Sequence, residues 1–399
     1  MHVPNREIAT PDAARPPVPS PLQVAVLGAG SWGTALAAAA CRAGLPTRLW
    51  SRRPDVAHAI RSTGSNPRHL PGIALPRGLQ ASDDLQQVLA AADVVLFAVP
   101  CSAMRSVAEL AGGWLPADAL ALATCKGVEP SSGRLMTQVL REHCAPAQPV
   151  GMLAGLSFAD EVVRGLPTRL TLGMRGPGAR AAGLAQVLGQ AWARAGIELE
   201  ICDDEVGVQV AGALKNAVAI ACGMASAQEL GENARAAIVA RGLDDMRRLT
   251  VALGGRSETL FRSSGVADLF LTAASSHSRN TRLGLRLGAS AEQRAGACDD
   301  DAELTEGAVA SHALAALERR LRIELHVPRA VRDVLAGRHD AAQALQRLLS
   351  AGPGQGAGAA PARIAAHGPT GHATAREPAH EPAAPARVPG SAWHHRVVQ

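Results

Sequence analysis

The stretch LQVAVLGAGSWGTALAAAACRAG, residues 22–44, constrains the fold more than any other part of this chain. Residues 22–27 are an apolar, β-branched run that reads as a buried strand, and TALAAAACRAG reads as a helix. Between them lies Gly28-Ala29-Gly30-Ser31-Trp32-Gly33. In this spacing Gly28 permits a tight turn, Gly30 lets a backbone approach a pyrophosphate, and Gly33 allows the helix to pack closely on the strand. The helix N-terminus then offers unpaired N–H groups and a positive dipole to phosphates. Three spaced glycines arise readily in a chain with 40 glycines. The strand before and the helix after are what give the spacing its meaning.

The next strand, TRLW (47–50), runs into Ser51-Arg52-Arg53. A cofactor with a free ribose 2′-hydroxyl calls for Asp or Glu at this strand end. Two arginines instead suit a 2′-phosphate by charge and by bidentate geometry, which favours NADP and leaves NAD open. Further strands are expected in ADVVLFAVP (92–100) and LALATCKG (120–127), with Lys126 at the C-terminal end of the latter. Ligands of open parallel sheets bind at that end of the strands.

Lys126 matters for another reason. Of 40 Lys and Arg residues only Lys126 and Lys215 are lysines. Where arginine serves every ordinary need for charge, a surviving lysine marks a place for a compact ammonium whose proton can be lost. Lys215 is the sole charge between Val206 and Ala225, a run otherwise dominated by Val, Ala, Leu, Ile, Gly, Cys and Met. Burying it costs several kcal/mol unless it is paired, neutralised or turned to water. The bland alternative is a lysine that snorkels from a half-buried helix. The run is long enough to span a membrane, but its central Lys and abundant Gly and Ala favour a buried helix.

After residue 200 the pattern turns helical. The expected organisation is a Pro-rich disordered leader (1–20), an α/β Rossmann dinucleotide-binding domain (21–200), an all-α substrate domain (201–350) and a disordered tail (351–399). The tail is rich in Pro, Ala, Gly and His. The leader lacks the apolar core of a signal peptide. Seven widely spaced cysteines without a CxxC pair read as reduced, cytoplasmic thiols, and no metal site is expected. A net charge of +5 without basic runs or interleaved aromatics excludes a nucleic-acid-binding pattern. Three polar constellations remain for chemistry: Lys215-Asn216, Asp268 within GVADL, and Ser278-Arg279-Asn280, a set suited to phosphate. Hydride exchange between a nicotinamide and an alcohol needs a group to handle the hydroxyl proton, and a lysine oriented by an aspartate can do so.

In order and spacing, GAGSWGTALA, LWSRR, NPRHLPG, FAVP, ATCKG, AGLSFADEV, GALKNAVAIACGM, GENARAAIVARGL, ADLFLT, SRNTRLG and LTEG resemble the bacterial-type NAD(P)-dependent glycerol-3-phosphate dehydrogenases, from about residue 22 to 348. The resemblance implies interconversion of dihydroxyacetone phosphate and sn-glycerol 3-phosphate for phospholipid synthesis, with Lys215 handling the proton and Asp268 as its partner. It implies a substrate held by Lys126, Gly155, Ser157, Ser278, Arg279 and Asn280. Beside the three glycines, the cofactor would be lined by Ser31, Trp32, Arg52, Arg53, His69, Lys126, Ala159, Arg279, Leu304 and Glu306. The implied protein is cytoplasmic, without a membrane segment, and compatible with a homodimer. Three positions depart from the family pattern: Leu156 replaces a proline, Ala267 replaces a glycine and requires φ < 0, and Ala308 replaces a valine. Two alternatives stay open, another two-domain β-hydroxyacid-type dehydrogenase and a cofactor-binding homologue with reduced turnover.

Overall fold

The apolar runs form strands with both faces covered. In the first, Val24 and Val26 pack into one layer while Ala25 and Leu27 pack into the other. Such strands read as continuous hydrophobic runs because neither face meets water. The computed structural model describes residues 21–275, 278–289 and 306–350, with the backbone alone for Glu306. The expected leader and tail, Cys298 and Leu304 lie outside the described residues.

In chain order the first half contains β1 (Val24–Leu27), α1 (Ser31–Arg42), β2 (Thr47–Trp50), α2 (Pro54–Thr63), β3 (Ser65–Asn66), β4 (Leu70–Ala74) and β5 (Gln80–Ser82). It continues with α3 (Leu85–Leu89), β6 (Val94–Phe97), α4 (Met104–Gly112), β7 (Leu120–Ala123), α5 (Met136–Arg141) and β8 (Val150–Gly155). α6 (Ala159–Val163), β9 (Thr168–Met174), α7 (Ala179–Ala193) and β10 (Ile197–Cys202) complete it. The main sheet has the order β10-β9-β8-β7-β6-β1-β2-β5, and β3 and β4 form a separate hairpin. Every neighbour pair in the main sheet is parallel except β8–β9. From β5 to β8 this is the doubly wound Rossmann order, whose direction of winding reverses between β1 and β6. The glycine-rich turn lies at that reversal, where a Cβ on Gly28 would meet Ala98 O at 2.4 Å. Sequence inspection identified β1, β2, β6 and β7; β5 at one edge and β8, β9 and β10 at the other extend the sheet beyond that reading.

The second half is helical: α8 (Glu205–Ala227), α9 (Gly231–Ala252), α10 (Asp268–Ala274), α11 (Arg279–Gly288), α12 (Glu306–Leu321), α13 (His326–Leu335) and α14 (Ala341–Ser350). Asp204 caps α8 by accepting from Gly207 N, and every residue from Glu205 to Ala225 is buried. α8 is the only described helix long and apolar enough to cross a membrane, and 89% of that window is buried inside the protein. It is a core helix. α11 lies against it with backbones almost touching. A Cβ on Gly223 would sit 2.2 Å from Thr281 O, and one on Gly284 only 2.0 Å from Ile220 O. Two buried polar residues near the start of α8 are paired: Gln209 bonds Thr137, and Glu205 takes the Arg141 guanidinium at 2.6 Å.

Candidate active site

The glycine-rich turn separates three roles that sequence alone assigns by analogy. Gly28 has φ +113°, open to glycine and strained for other residues. A Cβ on Gly33 would stand 1.9 Å from Gly28 O, so packing excludes any side chain there. Gly30 has an ordinary φ of −71°, and a Cβ there would meet nothing within 4 Å. Neither backbone strain nor the protein's own packing requires glycine at 30. The open space above it is a cradle into which a ligand backbone or phosphate fits, and the residues present therefore suit a dinucleotide.

Above the turn opens a cleft of about 490 Å³. It is lined by Gly30, Ser31, Trp32, His69, Lys126, Ser157, Ala159, Lys215, Asp268, Ser278, Arg279 and Asn280, all singled out from sequence. Ala98, Val99, Pro100, Thr124, Cys125, Phe158, Asn216, Leu271 and Thr272 join them. Arg52 and Arg53 are exposed beyond the end of β2, and Arg53 is held by Asp55 through two bonds of 3.1–3.2 Å. Glu306 opens α12, whose Gly307 packs against Asn216 and Asn280.

At the centre of the cleft both lysines of the chain meet one carboxylate. Lys215 Nζ donates to Asp268 Oδ1 at 2.6 Å and to Thr272 Oγ1 at 2.8 Å. Lys126 Nζ donates to Asp268 Oδ2 at 2.7 Å, Gly155 O at 2.7 Å and Ser157 Oγ at 2.5 Å. Asp268 is 0% exposed, and the side chains of Lys126 and Lys215 are 10% and 9% exposed. An ammonium has three protons to give. Lys126 has three acceptors, while Lys215 has two among the described residues. Burial lowers the Lys126 pKa to about 8; Asp268 pulls it upward and the Lys215 ammonium pulls it down. The sequence reading gave Asp268 to Lys215 alone. Its bridge to Lys126, 142 residues away, is a tertiary fact with no local signal.

Thr272 was missed, although its place one turn after Asp268 was a usable signal. Its hydroxyl donates to Asp268 O at 2.7 Å while accepting from Lys215. On the third side, Ser278 caps α11 by accepting from Thr281 N, so the helix N-terminus faces the cleft with Arg279 and Asn280 beside it. Asn280 Oδ1 accepts from Gly307 N at 3.0 Å. His69 is partly buried; burial, followed by the charges of Arg68 and Arg53, lowers its pKa and favours the neutral ring.

Two of the three departures from the family pattern, Ala267 and Leu156, are accommodated by the backbone. Ala267 has φ −66°, an ordinary helical value. Leu156 N donates to Arg169 O at 3.0 Å, a bond proline could not make, and Thr168 Oγ1 donates to Leu156 O at 2.7 Å. The turn presenting Ser157 is thus held by hydrogen bonds instead of a ring. No disulfide joins the six described cysteines, and no cluster of metal-ligating residues occurs among the described residues.

The sequence profile of the NAD-dependent glycerol-3-phosphate dehydrogenase N-terminus matches residues 23–179, and that of the C-terminus matches residues 204–346. The chain is 42% identical over 328 residues to glycerol-3-phosphate dehydrogenase [NAD(P)+] of Xanthomonas campestris pv. campestris strain B100, covering 82% of this chain and 94% of that one. The same-named protein of Rhodospirillum rubrum is 42% identical over 329 residues, covering 82% and 92%. The crystal structure of glycerol-3-phosphate dehydrogenase from Coxiella burnetii superposes with a TM-score of 0.74 at 33% identity, over 83% of this chain and 99% of that one. With both profiles matched in order and the relatives covered nearly end to end, this chain belongs to the NAD-dependent glycerol-3-phosphate dehydrogenase family.

Proposed function

We propose that this chain interconverts dihydroxyacetone phosphate and sn-glycerol 3-phosphate with NAD(P), supplying glycerophospholipid synthesis. The bound nicotinamide supplies the hydride that the ketone carbon receives. The chain's own residues bind the substrate and handle its proton. One observation carries the assignment of roles: among the described residues Lys126 has all three protons committed, whereas Lys215 has two partners for its three. Lys215 is therefore the donor to the carbonyl oxygen during reduction and the acceptor during oxidation. Asp268 and Thr272 fix its head, and Lys126 serves as a substrate-binding charge held by Gly155 and Ser157.

Two ammonium groups on one buried carboxylate leave a net positive charge with little access to water, which favours an anionic substrate. The phosphate fits the N-terminus of α11 with Ser278, Arg279 and Asn280. The cofactor fits over Gly30, between Ser31, Trp32, His69 and Ala159, with Leu304 and Glu306 assigned to it by family resemblance. NADPH is the preferred form in this reading, because Arg52 and Arg53 follow β2 where an acidic residue would serve NAD.

We assign residues 21–200 to dinucleotide binding and 201–350 to substrate and catalysis. A cytoplasmic homodimer completes the proposal. A second copy would cover Phe261 and Phe270, which are 82% and 72% exposed; light scattering tests this. For the activity, NADPH oxidation by purified protein is measured with and without dihydroxyacetone phosphate. Rates equal in both arms would overturn the assignment, and NADPH binding without turnover would favour a cofactor-binding homologue.

A further inference from the structure

Asparagine occurs five times in the chain, and three of the five are buried: Asn66 at 0% exposure, Asn216 at 3% and Asn280 at 8%. Asn216 and Asn280 line the cleft. Asn66 lies outside its lining, at the end of β3, yet both polar atoms of its side chain are engaged there. Its Nδ2 donates to Ala29 O at 3.0 Å and to Thr34 Oγ1 at 2.9 Å. Its Oδ1 accepts from His69 N at 3.3 Å. The Ser31 hydroxyl closes the ring by donating to His69 O at 2.9 Å. One side chain thus ties together the middle of the glycine-rich turn, the first turn of α1 and the hairpin residue His69.

Peptide geometry gives this tie a consequence. In a planar trans peptide the carbonyl of Ala29 and the N–H of Gly30 point in opposite directions. By holding the carbonyl on the buried side, Asn66 turns the Gly30 N–H away from the core. Gly30 lines the cleft, and the space over its Cα is open. Aspartate in place of Asn66 would face the Ala29 carbonyl with a second acceptor. Alanine would leave two buried acceptors without a donor.

We propose that Asn66 is a positioning residue for the dinucleotide: it sets the Ala29–Gly30 peptide and holds His69 against Ser31. Its loss weakens cofactor binding and leaves the chemistry at the two lysines intact. The inference rests on the glycine-rich turn as the cofactor site and is independent of which substrate is reduced.

The test is a fluorescence titration with NADPH on wild type, Asn66→Asp, Thr34→Val and Thr34→Ser, alongside melting temperature and KM for dihydroxyacetone phosphate at saturating NADPH. Asn66→Asp is expected to raise the NADPH Kd about tenfold or more with KM for the ketone unchanged. Thr34→Val, which removes one acceptor, raises Kd by a smaller factor, and Thr34→Ser, which keeps the hydroxyl, restores it. A lowered melting temperature with unchanged Kd in Asn66→Asp would make Asn66 merely structural and overturn the proposal. Should Asn66→Asp fail to fold, equal NADPH affinity in wild type and the two Thr34 variants overturns it instead. Absence of ketone-dependent turnover in wild type would sink the substrate assignment while leaving the Kd comparison readable.

Discussion

The two walls of the cleft are made of different materials. On the sheet side the site is mostly backbone: the Gly28–Gly33 turn, the Gly155 carbonyl and the open space over Gly30. On the helical side it is side chains: Lys215, Asp268 and Thr272, brought together from α8 and α10. The sheet wall therefore fails when a Cβ is added, and the helical wall fails when a charge is removed. Two departures from the family pattern fit this division. Ala267 adds a methyl on the helical side, where backbone conformation is ordinary. Leu156 alters the sheet side and makes there a backbone hydrogen bond to Arg169 that proline could not make.

The sharpest way to break the comparison is Gly33→Ala. Its Cβ would stand 1.9 Å from Gly28 O, so the variant should lose its fold, seen as loss of soluble protein and of circular dichroism. Soluble, native-like Gly33→Ala would show that the sheet wall is not built on close approach. Next in size is Asp268→Asn, which leaves two buried ammonium groups without their carboxylate. Breaking a buried pair costs about 3–5 kcal/mol of stability, so the melting temperature should fall; with the Lys215 head no longer fixed, kcat/KM should fall about 10²-fold or more while NADPH affinity holds. Gly30→Ala should keep the wild-type melting temperature and weaken NADPH binding about tenfold, worth ~1.4 kcal/mol. A melting temperature that falls with unchanged Kd would contradict the reading of Gly30 as a ligand cradle.

The pH dependence probes the place where the two walls meet, since Lys126 follows β7 and reaches Asp268 on α10. Lys126 has a pKa lowered to about 8, so it carries its charge below that pH and loses it above. KM for the anionic ketone should accordingly rise as pH increases through about 8, and Lys126→Arg should flatten the rise. A KM that stays flat from pH 7 to 9 in wild type would remove Lys126 from substrate binding. The smallest effect is expected at Arg52→Ser, exposed and at the rim: a several-fold loss of NADPH affinity with NADH affinity unchanged.

What the sequence disclosed follows the same division. Short apolar runs with both faces buried announced β1, β2, β6 and β7, since a strand in a parallel sheet needs little but hydrophobicity. VGMLAG, TRLTLGM and IELEIC were passed over, because glycine, alanine and edge-strand charges blur the same signal; β8, β9 and β10 form there. Scarcity exposed Lys126 and Lys215, but no local pattern could say that Asp268 serves both. That bridge depends on how the loop after β7 meets α10, a matter of tertiary packing. Asn66 was hidden in the open: its motif NPRHLPG was recognised as a unit, while the residue acting from beneath the cleft carries no signal beyond its rarity.

The central claim is that two lysines sharing one carboxylate do different work. The direct measurement is kcat and KM for dihydroxyacetone phosphate at saturating NADPH in Lys215→Ala and Lys126→Ala. Lys215→Ala should lower kcat about 10²- to 10⁴-fold with little change in KM, as loss of a general acid does. Lys126→Ala should act chiefly on KM. Near wild-type kcat in Lys215→Ala, or an equal loss of kcat in Lys126→Ala, would contradict the account.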